Sequence, residues 1–105
     1  MSSPCVVVNL NVEPYDVYIG RAGSSVSSGD GYWGNPFRLK EERDREWVLS
    51  LYRSYFDKRV AQDALFRARL LTLRGKRIGC YCHPKLCHGD VIAEWVNAQD
   101  NKEET

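Results

Sequence analysis

The sequence lacks any run of apolar residues long enough to cross a membrane, and it lacks a large excess of charge of either sign. A membrane helix needs about 18–20 consecutive apolar residues. Fifteen Lys and Arg residues stand against fourteen Asp and Glu residues, which gives a formal net charge of +1. A protein that coats nucleic acid needs a much larger basic excess. We therefore expect any anion to be bound by locally placed groups, and we favour a small molecule over nucleic acid as the partner.

The N-terminal residues 1–8 also lack a charged leader and a long apolar segment, so we expect a cytoplasmic protein rather than a secreted one. The length of 105 residues suits one domain, because domains cluster near ~100–150 residues. We predict a single domain over residues 1–98 and a polar C-terminal tail over 99–105. In a cytoplasmic protein the four cysteines are better interpreted as thiols or metal ligands than as disulfides.

The spacing of apolar residues predicts three strands and three helices. The predicted strands are 5–10, 15–20 and 76–82, and the predicted helices are 41–59, 61–73 and 90–98. The order strand, strand, helix, helix, strand, helix indicates a small α/β layered domain. A Gly/Ser-rich segment, 21–37, separates the second strand from the first helix and is unusually long for a loop in a small domain.

Three of the four cysteines and both histidines lie in one short segment, 79–90. A strand that ends at Cys82 would bring its thiol to the carboxyl edge of the sheet, where α/β proteins bind their ligands. Gly89 permits a close approach just before the last helix. The N-terminus of that helix favours anions and reactive thiolates. We expect Asp90 to be its N-cap residue, with any catalytic role additional.

Three kinds of site fit this segment. A thiol or imidazole active site would use Cys82 or Cys87 as the nucleophile and His88 as the acid or base. A zinc site would use thiolate and imidazole ligands, although Cys-x-Cys within a strand chelates less readily than the wider spacing of structural zinc sites. Its candidate ligands are Cys80, Cys82, Cys87 and His88. The third interpretation is a non-catalytic anion pocket in which Cys80 is a small core residue.

Four ordered segments, 18–21, 33–37, 79–82 and 84–90, resemble the family described as domain of unknown function 4326, which occurs in phages and bacteria. The resemblance extends from Val6 to about Asn97. It implies a small Rossmann-like α/β domain and brings no activity with it. The strand, turn, Cys-His and helix arrangement is also similar, locally, to domain of unknown function family 488.

The order of these motifs predicts that they share one edge of the sheet. Arg21 follows the second strand and would offer a forked donor to a phosphate or carboxylate. Asn35 could bind a polar group, and Trp33 could stack on a base or sugar. The expected ligand-binding residues are Arg21, Trp33, Asn35, Cys82 and Gly89, and the expected catalytic residues are Cys87, His88 and Asp90.

Our preferred hypothesis is a small soluble domain that binds a phosphorylated, nucleotide-like small molecule. Cys87 and His88 could then hydrolyse this molecule or transfer a group from it. The alternative is a non-catalytic binding module that zinc stabilises through the Cys/His cluster.

Overall fold

The computed structural model describes residues 4–20, 32–37 and 40–104 of the protein, with side chains described through residue 99. The strands are β1 (Val6–Asn9), β2 (Val17–Tyr18) and β3 (Arg77–Cys80). A 3-10 helix (Glu42–Asp44) leads into α1 (Arg45–Gln62), which is followed by α2 (Ala64–Leu71) and α3 (His88–Glu104). The predicted α/β class with three strands and three helices is therefore confirmed.

The three strands form a parallel sheet with the order β1-β3-β2. Because β3 lies between two strands that are consecutive in sequence, residues 10–16 must cross one face of β3. Gly79 makes room for this crossing, since a Cβ atom there would lie 2.9 Å from Cγ of Tyr15. The N–H of Asp16 donates to the carbonyl of Arg77 at 2.8 Å, which fixes the end of the crossing.

Helix α3 packs on the opposite face of the sheet, and α1 and α2 pack against α3 and each other, so that the three helices share one apolar core with that face. Ile78 and Cys80 alternate with Gly79 along β3, so their side chains point to that face. Each helix contributes apolar residues spaced four apart, which lie on one side of a helix. These buried residues are Val48, Tyr52 and Phe56 of α1, Phe66 and Leu70 of α2, and Ile92 and Val96 of α3.

Asn97 of α3 fastens the start of the first strand. Its side-chain oxygen accepts from the N–H of Cys5 at 2.8 Å, and its amide nitrogen donates to the carbonyl of Cys5 at 2.9 Å. The Cys5 thiol is buried, and this burial raises its pKa to about 11. Cys5 is therefore a core residue with a protonated thiol at neutral pH, as its position in an apolar strand predicts.

Two predicted boundaries near the Cys-His segment are wrong. The strand β3 ends at Cys80, so Cys82 lies in the following loop. The reason is that Asn9 of β1 donates to the carbonyls of Tyr81 and His83, at 3.4 and 2.9 Å, and so replaces the regular ladder there.

The helix α3 begins at His88, two residues before the predicted start, and continues to Glu104 through most of the segment expected to be a polar tail. Asp90 is therefore inside the first turn and is not the N-cap residue. Its carboxylate accepts from the N–H of Cys87 at 2.9 Å, and its own N–H donates to the carbonyl of Cys87 at 3.0 Å. This reciprocal pair resembles a capping box with Cys87 at the cap.

Within the described ranges, no helix combines the length and the apolar character that crossing a membrane requires.

Candidate functional site

The carboxyl ends of the three strands meet the N-terminus of α3. We call this region, formed by Asn9, Ile19 and residues 80–90, the carboxyl edge. The N–H of Leu10, just after β1, donates to the carbonyl of Cys80 at 3.1 Å. The carbonyl of Ile19, just after β2, lies 2.7 Å from Nε2 of His88. The strand ends and the last helix therefore share one edge, whereas Arg21, which was expected there too, lies outside the described residues.

Two buried thiols lie in contact at this edge. Sγ of Cys80, at the end of the central strand, is 3.2 Å from Sγ of Cys87, at the cap of α3. The pKa of Cys80 is lowered, first because the Cys87 thiol donates to its sulfur and then because the N–H groups of His83 and Cys82 do so, while burial opposes the shift. The pKa of Cys87 is raised by its bond to Cys80 and by burial. These opposite shifts favour deprotonation of Cys80 over deprotonation of Cys87.

The imidazole of His88 is held by the end of β2 and by α1. Because a carbonyl oxygen only accepts, the contact with Ile19 requires the proton to be on Nε2, and in the neutral ring Nδ1 is then the acceptor. The ring also packs edge-on against Tyr52, with 5.3 Å between centroids. The structure thus pairs Cys87 with Cys80 and directs Nε2 of His88 to the carbonyl of Ile19, just after β2.

Arg45, which the sequence did not single out, places a cation beside Cys82. Its Nη1 donates to the carbonyl of Leu86 at 2.8 Å, and its Nε and Nη2 donate to the carboxylate of Glu42 at 3.1 and 2.8 Å. The pKa of Arg45 is raised by Glu42 and also, more weakly, by a contact with the Cys82 thiol. Lys85 adds an ion pair with Glu42 at 3.0 Å, so the start of α1 holds the loop that follows β3.

Gly89 and Asp90 fix the first turn of α3. A Cβ atom at Gly89 would lie 2.9 Å from Cδ1 of Ile19 and 3.1 Å from Cγ1 of Val7, so the helix begins directly against the sheet. The Asp90 carboxylate occupies the N–H of Cys87 and brings a negative charge to the helix terminus. A phosphate would have to compete with this carboxylate, so the terminus of α3 is a poorer anion site than its sequence indicates.

The aromatic segment 32–37 packs against α1 and α2. The half-buried Trp33 ring lies 4.9 Å from the Tyr32 ring and 5.7 Å from the Phe66 ring, measured between centroids. Oδ1 of Asn35 accepts from the N–H of Phe37 at 2.8 Å, which closes a tight turn. Trp33 and Asn35 therefore have packing and turn-forming roles in this structure.

This segment reaches the carboxyl edge through a series of aromatic contacts. The Phe37 ring lies 6.0 Å from Tyr55, the Tyr55 ring lies 5.7 Å from Tyr52, and Tyr52 contacts His88. Aromatic residues of α1 thus link the segment 32–37 to His88 at the carboxyl edge.

The expected zinc ligands are not assembled. Among the residues that the structure describes, no group of three or more His, Cys, Asp or Glu side chains is arranged to hold a metal ion. Cys80 and Cys87 contact each other, Cys82 contacts Arg45, and Nε2 of His88 contacts the carbonyl of Ile19. A structural zinc site needs four ligands around one point, and this arrangement does not favour one.

The fold and the site define a small α/β domain whose parallel sheet has thiols and an imidazole at its carboxyl edge. The chain belongs to the family described as domain of unknown function (DUF4326), whose model matches residues 8–98. This confirms the family resemblance seen in its motifs. The chain is also 39% identical over 93 residues to the "Uncharacterized 12.4 kDa protein in nrdA-td intergenic region" of Enterobacteria phage T4, and the match covers 89% of this chain and 78% of that protein. No solved structure matches the chain.

Proposed function

We propose that this protein binds a phosphorylated, nucleotide-like small molecule at the carboxyl edge of its sheet. The observation that carries the proposal is the meeting of three parallel strand ends with the first turn of α3, held by the 2.7 Å contact between His88 and Ile19. Open α/β sheets bind ligands in the crevice outside the carboxyl ends of their strands, because the loops that leave those ends can diverge there.

We expect Arg21 to bind the phosphate of the ligand, because other donors at the carboxyl edge are already occupied. Arg45 is already bonded to Glu42 and to the carbonyl of Leu86, and Asp90 occupies the N–H of Cys87. In the sequence, Arg21 comes three residues after Tyr18, the last residue of β2. A guanidinium group matches the geometry of phosphate with two parallel donors. The proposal therefore depends more on this arginine than on the helix terminus.

The aromatic segment supports the nucleoside part of the proposed ligand. Trp33 is half-buried, so part of its surface is accessible to a base, while Tyr32 and Phe66 fix the position of the ring. Stacking of a base on an aromatic side chain contributes about 1–3 kcal/mol. Asn35 holds the turn beside it and would act by keeping Trp33 in place.

Turnover of the ligand belongs to the same proposal. The expected catalytic residues are Cys87 and His88, with Asp90 positioning Cys87 through its N–H. The pKa of Cys80 is lowered whereas that of Cys87 is raised.

The test is a thermal-shift and calorimetric survey of nucleotides, nucleosides and sugar phosphates with the reduced protein. We expect at least one phosphorylated compound to raise the melting temperature, and we expect its unphosphorylated counterpart to have a smaller effect. Arg21→Ala should abolish the gain. The matched control is Lys76→Ala, which removes one positive charge from an exposed side chain at the opposite end of β3.

Two results would contradict the proposal. One is a survey in which no phosphorylated compound stabilises the protein. The other is an equal loss of binding in Arg21→Ala and Lys76→Ala, which would indicate a general effect of charge rather than a site at the carboxyl edge.

A further inference from the structure

We infer that Cys80 and Cys87 form a redox site, a dithiol that a small hydroperoxide oxidises to an intramolecular disulfide. This inference concerns the thiols alone and does not depend on the proposed ligand. Neither the family description nor the phage relative assigns a function to these residues.

The geometry brings these two sulfurs, and no other pair within the described ranges, into contact. Their separation of 3.2 Å would have to shorten by about 1.2 Å to reach the ~2.05 Å of a disulfide bond. Cys80 is fixed at the end of the central strand, and Asp90 holds the backbone of Cys87 at the cap of α3. Because each sulfur is attached to a different secondary structure element, the bond would join β3 directly to α3.

The environment of the pair supports a reactive thiolate and a protonated partner. Backbone N–H groups of Cys82 and His83 and the thiol of Cys87 all donate to Cys80, and they lower its pKa. The bond to Cys80 and burial raise the pKa of Cys87. One sulfur is thus ready to attack an oxidant, and the other lies within reach to resolve the product.

The reaction balances with a hydroperoxide as the oxidant. The Cys80 thiolate attacks the terminal peroxide oxygen and the O–O bond breaks. The oxyanion that leaves takes up from solvent the proton that Cys80 had released, and becomes an alcohol, or water when the oxidant is hydrogen peroxide. The product is a sulfenic acid on Cys80. The Cys87 sulfur then attacks the Cys80 sulfur, the S–O bond breaks, and the hydroxide leaves as water with the Cys87 proton. Overall, two thiols are oxidised, and the hydroperoxide is reduced to an alcohol and water.

The burial of the two sulfurs limits the size of the oxidant that can reach them. Cys80 is 3% exposed and Cys87 is 6% exposed, so a bulky disulfide cannot approach either sulfur in line, whereas hydrogen peroxide is little larger than water. Cys82 is only half-buried and lies beside Arg45. A bulky oxidant should therefore modify Cys82 before the buried pair.

The experiment uses the full-length reduced chain, hydrogen peroxide in stoichiometric amount, and alkylation of the remaining thiols before digestion. Trypsin cleavage after Arg77, Lys85 and Lys102 places Cys80 and Cys82 in one peptide and Cys87 in another. We expect the whole protein to lose the mass of two hydrogen atoms and these two peptides to be cross-linked. Treatment with oxidised glutathione should give the cross-link much more slowly.

Cysteine-to-serine variants identify the two cysteines that form the disulfide. Cys82→Ser leaves only Cys80 in the first peptide, so its cross-link to Cys87 must persist. Cys80→Ser and Cys87→Ser should each abolish the cross-link. If either of these two variants fails to fold, fragmentation of the cross-linked peptides of the unaltered protein locates the bond by itself.

Three results would overturn the inference. They are a cross-link that contains Cys82 or Cys5, stable over-oxidation of Cys80 without a cross-link, and the absence of any cross-link in the unaltered chain. The ligand survey is carried out on reduced protein, so failure of either proposal leaves the other standing.

Discussion

The two ends of the parallel sheet contain the same kind of residue in opposite states. At the amino end burial alone shifts the pKa of the Cys5 thiol, and it raises that pKa to about 11. At the carboxyl end Cys80 is equally buried, yet its pKa is lowered because a thiol and two backbone N–H groups donate to it. Burial by itself makes a thiol inert, whereas burial together with hydrogen-bond donors makes it reactive.

Both ends are also closed by side chains that bond to the backbone. Asn97 holds Cys5 at the amino end, and Asp16 accepts from the N–H of Arg77 at 2.8 Å beside it. At the carboxyl end the corresponding bonds come from Asn9 and His88. The amino end therefore performs this structural task with an amide and a carboxylate, whereas the carboxyl end performs it with an amide and an imidazole that can also take part in chemistry.

The largest expected effect is at the amino end. Asn97→Ala removes two bonds to the backbone of the buried Cys5 and leaves both backbone groups unpaired. We expect a loss of about 2–4 kcal/mol in the free energy of unfolding, measured by urea denaturation. Asn97→Asp keeps the acceptor and loses the donor, so its free energy of unfolding should lie between those of the unaltered protein and Asn97→Ala. A loss below about 1 kcal/mol in the alanine variant would show that water replaces these bonds.

The corresponding change at the carboxyl end is His88→Ala, which removes the bond to Ile19 and the contact with Tyr52. We expect a destabilisation of about 2 kcal/mol by the same measurement. His88→Gln can still donate to the carbonyl and should recover part of the loss. If glutamine recovers nothing, ring packing rather than the hydrogen bond holds β2 to α3.

A smaller effect is expected at the helix cap. Asp90→Ala removes the acceptor for the N–H of Cys87 and should cost about 1 kcal/mol. The control is Glu94→Ala, one turn later in α3, where an exposed ion pair with Arg53 is lost and the effect should be smaller. Equal effects of the two variants would argue against the capping role. Because Asp90 holds Cys87, peroxide cross-linking should also slow in Asp90→Ala.

The smallest expected effect is the loss of stability at low pH that comes from two exposed carboxylates, one at each end of the sheet. The pKa of Asp16 is lowered by its bonds to Arg77, and that of Glu42 is lowered to about 2 by Arg45 and then Lys85. A lowered pKa in the folded state stabilises the protein above the ordinary pKa of the group. This stabilisation is lost as the pH falls through the lower, folded value.

Asp16→Asn and Glu42→Gln should therefore be less stable than the unaltered protein at neutral pH. These differences should shrink as the pH falls below the ordinary values of 3.8 and 4.5. Urea denaturation at neutral pH and at a pH below these values measures how far each difference shrinks. A difference that persists undiminished at low pH would mean that the carboxylate charge is not the cause.

Local patterns predicted some features of this site and missed others for identifiable reasons. Apolar runs, alternation and helical periodicity located the three strands and three α-helices of the described residues, because that signal lies within a few neighbouring residues. The start of α3 was predicted too late, because Asp90 is a good N-cap residue by type but bonds back to Cys87 from inside the helix. The end of β3 was predicted too late, because Asn9, far away in sequence, bonds to the loop after it.

The chain's sequence by itself determined the α/β class, the family, and the concentration of cysteine and histidine in one segment, because composition and periodicity are local properties. The tertiary structure decided which of those groups meet. It paired Cys80 with Cys87, directed His88 to Ile19, and brought Arg45 to Cys82. These pairings depend on strand order and on where α1 and α3 pack, and both follow from distances between segments that are remote along the chain.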